Sequence, residues 1–290
     1  MTAIELKNVT YISSPDTPFC KTALDDVSLS ITAGRITGLM GHTGSGKSTL
    51  VQLLNGLLKP DSGEVLLDGV NIWAEPKKIR DVRFRAGLVM QYPEYQLFAE
   101  TVGEDIAFGP KNMGISGDEL AERVKKSAEF AGLPEKYLDK SPFELSGGQK
   151  RRAALAGVIA MNPEILILDE PAAGLDPSGR RDILGGIKKF SRASGTTVII
   201  VSHSMEDMAR YCDDIVVLAH GRCIMQGSTP EVFARSEELS AVGLNVPEIS
   251  RVCSMLRARG VPMDEGIFTV EQAEACLCRL LAEDGKEGRI

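Results

Sequence analysis

The sequence has little from which to build a metal centre or a disulfide framework. It holds three histidines and six cysteines, Cys20, Cys212, Cys223, Cys253, Cys276 and Cys278, and no two cysteines form a C-x-x-C pair. A reduced, cytosolic state is the expectation. Cys276 and Cys278 fall two apart on a predicted helix, where they point to different faces and cannot chelate well. No apolar run approaches the roughly 18 residues that cross a bilayer. The opening Met1-Thr2-Ala3-Ile4-Glu5-Leu6 has no signal-peptide core and alternates like a strand, so the chain is expected to stay in the cytoplasm. Positive charge is not in excess: the net charge is -7, which argues against a nucleic-acid partner. No internal repeat or low-complexity tract occurs. What remains, 43% hydrophobic and 25% charged residues in a chain of 290, is ordinary for a soluble globular protein. That length allows one large core with a small appendage, or two modest domains.

One stretch organises the rest. Gly41-His42-Thr43-Gly44-Ser45-Gly46-Lys47-Ser48 fits the phosphate-loop pattern G-x-x-x-x-G-K-[ST] at every fixed position. A glycine turn alone could match this spacing; the flanks decide. Ile36 to Met40 reads as a short buried strand, and Thr49 to Leu54 reads as a helix. Glycines let successive N–H groups turn inward onto phosphate oxygens, and the helix adds the positive end of its dipole. Lys47 would sit on the β- and γ-phosphates of ATP, and the Ser48 hydroxyl would ligate Mg²⁺.

The remaining pattern predicts a mixed α/β architecture. Ile4–Tyr11 and Ala23–Ile31 read as strands. Glu64–Leu67 and Val70–Ile72 flank Asp68-Gly69, a hairpin turn signal. Gly87–Met90 is a buried strand ending at Gln91. From Thr101 to Ala131 the pattern is helical, with a break expected at Gly109-Pro110, and Gly147–Met161 is helical again. Strands Ile165–Leu168, Thr196–Val201, Ile215–Leu218 and Cys223–Gln226 follow, with a helix over Pro177–Phe190 and a turn at His220-Gly221. Strands alternating with helices put a parallel sheet at the centre. Beyond Gly227, Ile249, Val252, Cys253 and Leu256 share one helical face. Thr269 to Gln272 forms a capping box, and Lys286 to Ile290 is expected to fray.

A second nucleotide motif follows the first. Four apolar residues run into Asp169-Glu170, which places Asp169 to hold Mg²⁺ across from Ser48. Glu170 is placed to polarise an attacking water as general base. Between the two motifs, Leu145-Ser146-Gly147-Gly148-Gln149 opens a helix as another anion-binding turn. One γ-phosphate does not need two such loops from the same chain.

That stretch resembles the signature of ATP-binding-cassette (ABC) ATPases. The resemblance covers roughly residues 3 to 230. It implies a P-loop NTPase fold of the ABC type: parallel core sheet, antiparallel β subdomain, helical insertion at about 92–161, and a C-terminal helical appendage over 231–290. In the family the signature binds the nucleotide held by a partner's phosphate loop, which implies a head-to-tail dimer enclosing two ATPs. The phosphate-binding set would then run from Gly41 through Thr49. Gln91 resembles the family's glutamine that contacts Mg²⁺ and the attacking water. Ala173-Gly174-Leu175-Asp176 resembles the loop whose aspartate crosses the dimer interface, and His203 resembles the histidine that bonds the γ-phosphate. Two positions depart from the pattern. Ser13 falls where an aromatic residue usually stacks on adenine, leaving Tyr11 or Phe19 as candidates, and Ala172 stands where Thr is common.

Gln91-Tyr92-Pro93-Glu94-Tyr95-Gln96-Leu97-Phe98, Asp105 to Asn112 and Ser141 to Ser146 are similar to the cobalt and energy-coupling-factor branch. Within it, Ser14 to Phe19 and Gly41-His42-Thr43 look most like the second of two ATPases. That implies an ATPase at the cytoplasmic face of the cell membrane, powering import of vitamins or metal ions. Its partners would be a related ATPase in a heterodimer, a transmembrane coupling protein and a substrate-binding membrane protein. The alternative is a soluble ABC ATPase acting as a switch in translation or DNA maintenance. Those types usually carry two cassettes or a long coiled coil, neither of which the sequence shows. A P-loop kinase is argued against by the signature loop.

Overall fold

The computed structural model describes residues 1–287, with side chains to residue 282. β1 (Thr2–Ser13) and β2 (Lys21–Thr32) are antiparallel neighbours whose inward residues bury Ile4, Leu6, Leu24, Val27, Leu29 and Ile31. β3 (Ile36–Met40) is buried at all five positions and enters a different sheet, feeding the phosphate loop and α1 (Lys47–Leu54). β4 (Ser62–Leu67) and β5 (Val70–Asn71) return to the first sheet, which runs β2-β1-β4-β5 and is antiparallel throughout. Their turn uses Asp68 at φ 50° and Gly69 at φ 79°, the double positive φ that a tight two-residue hairpin requires.

A short α2 (Ile79–Arg85) leads into β6 (Ala86–Val89). Three helices follow before the next strand: α3 (Val102–Asn112), α4 (Gly117–Phe130) and α5 (Gly147–Ile159). The break expected at Gly109-Pro110 is absent. Pro110 lies in the last turn of α3, buried, where only one internal hydrogen bond is forfeited. The helix stops instead at Gly114, with φ 86°.

β7 (Ile165–Asp169), α6 (Pro177–Ser194), β8 (Thr197–Val201), α7 (Met205–Tyr211), β9 (Asp214–Ala219) and β10 (Arg222–Ser228) complete the second sheet. Its order is β10-β9-β3-β8-β7-β6, parallel except for β10. Because side chains alternate across a strand, β7 serves two cores. Ile165 and Ile167 pack toward the antiparallel sheet, and Leu166 and Leu168 toward the helices. Each such side chain contributes about 1.5–3 kcal/mol of burial, so a sheet covered on both faces needs these unbroken apolar runs. The carboxyl ends of β3, β6, β7 and β8 come out on one edge, where ligands bind in open α/β sheets.

The chain ends in α8 (Thr229–Ala234), α9 (Ser236–Ala241), α10 (Glu248–Ala258) and α11 (Val270–Glu287). Cys253, Met263, Ile267, Ala273 and Cys276 form a small core of their own, with Ile249 and Leu256 against it. Val252, expected on that face, is exposed, while Cys278 lies on the opposite side of α11 from Cys276. Gln272 and Thr269 cap each other at the start of α11, and Phe268 reaches Phe233 in the main core. The fraying expected for Lys286 to Ile290 lies outside the described residues, apart from the helix backbone to Glu287.

Candidate active site

The phosphate loop is held closed by its own lysine. Lys47 is 7% exposed, and its Nζ donates to the carbonyls of Gly41 (2.7 Å) and His42 (2.9 Å). Burial lowers its pKa, opposed by the charges of Glu170 and then Asp169. Gly46 sits at φ 102°, and a Cβ there would lie 2.6 Å from the Ala23 carbonyl, so no other residue fits. The Ser45 Oγ is buried without a hydrogen-bond partner. A loop whose buried ammonium lines the cleft fits an anionic guest.

Asp169 ends β7 beside Ser48. Burial raises its pKa, while the Ser48 hydroxyl, Lys47 and His203 pull it down. A hydroxyl and a carboxylate together are the hard oxygen donors that Mg²⁺ prefers, so the residues present fit that ion.

Glu170 follows at φ 52°, a left-handed conformation uncommon outside glycine. Its N–H donates to Val201 O (3.1 Å) and its carbonyl accepts from Ala173 N–H (3.2 Å), which fixes the turn. The carboxylate is largely buried, and Oε1 lacks a hydrogen-bond partner. Burial, then Asp169, raises its pKa to about 6. The Nε2 of His203, just beyond β8, stands 3.4 Å from Oε1 without the alignment of a hydrogen bond. Burial and then Lys47 lower the His203 pKa, which favours the neutral ring.

These groups share one cleft of about 620 Å³, lined by Thr43, Gly44, Gly46, Lys47, Ser48, Thr49, Gln91, Asp169, Glu170 and His203. Larger grooves of about 880 and 830 Å³ lie elsewhere and contain none of these residues. Phe19, exposed, also lines the cleft with Ser13 and Lys21, whereas Tyr11 packs against the core. Gly41, His42 and Ser45 do not line the cleft.

Leu145 to Gln149 stand outside the cleft, as does Asp176. Ser146 caps α5: its Oγ accepts from Gln149 N–H (3.4 Å), and its own N–H donates to Gln149 Oε1 (2.9 Å). Asp176 caps α6 by accepting from Gly179 N–H (2.8 Å). Gly147, Ser146 and Asp176 are exposed on the surface.

Sequence reasoning passed over Arg151. It lies two residues past the signature, buried, and bridges Glu94 and the carbonyl of Ala173. The signal was there: Arg151, Leu155 and Ile159 recur every four residues on the buried face of α5.

A phosphate loop at the end of β3, an Asp-Glu pair at the end of β7 and a second glycine-bearing loop outside their cleft define an ATP-binding cassette. The chain belongs to the ABC transporter family, which matches it over residues 24–173, and has the ABC ATPase fold. It is 50% identical over 279 residues to the energy-coupling factor transporter ATP-binding protein EcfA2 of Clostridium tetani, covering 96% of this chain and 97% of that protein. With EcfA2 of Clostridium perfringens it shares 51% over 280 residues, 96% and 98% of the two chains. Among solved structures it is similar to cbiO1 from Clostridium perfringens, part of the ABC transporter complex cbiONQ. That match has TM-score 0.74 and 38% identity, covering 87% of this chain and 99% of that one. The dimeric cassette MJ0796 bound to ADP and Pi matches at TM-score 0.70 and 30% identity, over 78% and 98% of the two chains.

Proposed function

We propose that this chain is the ATP-binding and ATP-hydrolysing subunit of an energy-coupling-factor membrane importer. The observation that carries the reading is the split of its two glycine-bearing loops. The Lys47 loop lines a cleft with the carboxylates, and the Ser146 loop lies outside that cleft with Ser146 and Gly147 exposed. A second cassette, a related ATPase, completes each site; that the similar cassette MJ0796 is dimeric supports this reading. The cassette spans residues 1–230 with the helical insertion at 92–161, and 231–290 is an appendage.

Within the cleft each residue has a task. The loop N–H groups and Lys47 bind the phosphates of ATP. Ser48 and Asp169 would hold Mg²⁺, which neutralises phosphate charge when bound. Gln91 orients the attacking water and Glu170 takes its proton. Burial makes Glu170 a stronger base than an ordinary carboxylate, yet one still mostly ionised at pH 7. Neutral His203 bonds the γ-phosphate, and Asp176 crosses to the partner.

The chain works at the cytoplasmic face of the membrane. No helix among the described residues is long and apolar enough to cross it, so force must pass through a docked surface. Tyr92, Tyr95 and Phe98 are exposed just past Gln91, Tyr95 by 85%, while Leu97 packs inward. Tyr and Phe are favoured interface anchors, and the transmembrane coupling protein, itself joined to a substrate-binding membrane protein, docks there. Truncating an anchor costs about 2 kcal/mol or more. Tyr95→Ala with Phe98→Ala should release the chain from the membrane fraction while the isolated chain still binds ATP. Co-purification beside a nucleotide titration decides. Loss of neither removes this surface from the interface, loss of both makes it core, and recovery of the wild type with ribosomes or DNA supports the soluble switch.

A further inference from the structure

We propose that Arg151 is a positioning residue for hydrolysis, locking the turn after Gln91 to the turn that carries Glu170. The inference rests on the reading of Gln91 and Glu170 given above.

Arg151 is 6% exposed, and its Glu94 partner's side chain is 17% exposed. The guanidinium grips the carboxylate with two donors, Nη2 to Oε1 at 3.0 Å and Nε to Oε2 at 3.3 Å. A third donor, Nη1, bonds the Ala173 carbonyl. The same Ala173 peptide donates its N–H to the carbonyl of Glu170 (3.2 Å). An unbroken chain of contacts therefore runs from Glu94 through Arg151 and Ala173 to the backbone of Glu170.

Both ends of that chain carry left-handed, non-glycine residues: Tyr92 at φ 57°, next to Gln91, and Glu170 at φ 52°. Such conformations persist only where the surroundings over-determine them. Simple core packing does not account for the arrangement. A buried ion pair is a poor source of stability, and apolar side chains of the same volume often serve as well. No apolar side chain can hold a carboxylate on one loop and a carbonyl on another. A planar fork of donors can, and lysine has none. Because α5 begins at the signature, Arg151 also ties both turns to the loop that faces the partner cassette. A shift of the docked segment at Tyr92 to Phe98 is then felt at Glu170 without any rearrangement of the phosphate loop.

The test uses the assembled complex and measures turnover against ATP concentration. Equilibrium binding of a non-hydrolysable ATP analogue and thermal melting accompany it. Variants are Arg151→Met, Arg151→Lys, Glu94→Gln and the Arg151→Met/Glu94→Gln pair. Misplacement of catalytic groups by about 1 Å can cost on the order of 10²-fold, so Arg151→Met should lower kcat about 10- to 100-fold with analogue affinity unchanged. Arg151→Lys should fall between, and the double variant should be no slower than Arg151→Met alone. Glu94→Gln keeps the shape of the site and carries the test if Arg151→Met does not fold. Wild-type kcat in both single variants overturns the proposal. So do losses that multiply in the double variant, or kcat, affinity and melting temperature that fall together, as a mere staple would give. If the wild-type complex does not hydrolyse ATP, or Glu170→Gln is as fast, the functional reading falls and this proposal with it.

Discussion

The loops Gly41 to Ser48 and Leu145 to Gln149 both open helices, and they could hardly be placed more differently. The first, Gly41 to Ser48, is curled around a buried lysine and faces Asp169 and Glu170 across a cleft. The second, Leu145 to Gln149, exposes Ser146 and Gly147 and satisfies its own helix N-terminus through Ser146 and Gln149. Both offer N–H groups and a helix dipole, so the dipole alone does not make a site. What distinguishes them is the charge at the strand ends, which only the first loop has. On the function proposed above, the second is the back half of a site whose front half belongs to another cassette.

The comparison breaks most sharply at the carboxylate. Glu170→Gln should keep ATP binding and reduce turnover by about 10² to 10⁴, because positioned proton transfer is worth that much. Lys47→Ala should instead weaken ATP binding itself, by about 10- to 100-fold for a charged hydrogen bond of about 1.5–3 kcal/mol. More than a tenth of wild-type turnover in Glu170→Gln at saturating ATP would reject the assignment of the base.

Smaller effects sharpen the edges of the first loop. Phe19 lines the cleft where a ring can stack on adenine, and such stacks are worth about 1–3 kcal/mol. Phe19 is exposed, so the low end applies, and Phe19→Ala should raise the KM for ATP about fivefold with kcat unchanged. An unchanged KM would leave the adenine to another residue.

The smallest effect lies away from both loops. Hydrogen bonding to Arg85 holds the Glu164 carboxyl below its usual range. A depressed folded-state pKa stabilises the fold above the unfolded value of about 4.3 and loses that contribution as pH falls through the folded pKa. Both partners are more than a third exposed, so the pair contributes no more than about 1 kcal/mol. Urea unfolding should show Glu164→Gln slightly less stable than wild type at pH 7, the gap closing in acid, with ATP turnover equal. A gap that widened in acid would contradict this.

Much of this arrangement is legible in the sequence, for a physical reason. β3, β7 and β8 are buried on both faces, so their apolar runs stand out, and the chemistry begins where each run stops: at Gly41, Asp169 and His203. The second hairpin is announced by Asp68-Gly69. Elements without such signals are not legible. α2 has only two turns, with no side-chain cap at Lys78, and Ile79 and Val82 bury only partly. Pro110 invites a break that the last turn of α3 tolerates. Phe19 and Tyr11 are equal candidates until the fold puts one in the cleft and the other in the core. Arg151 shows why long-range polar links escape: its face is readable from α5, but its partners lie 57 and 22 residues away along the chain.

The central claim is that this chain's second loop serves a phosphate loop that is not its own. The direct measurement is single-turnover hydrolysis in the assembled complex, with photo-crosslinking of an azido-ATP to report which chain held the nucleotide. Ser146→Arg in this chain should abolish hydrolysis of nucleotide bound to the partner cassette, while ATP still binds at Lys47. Loss of hydrolysis at this chain's own phosphate loop, with the partner's site unaffected, would contradict the account.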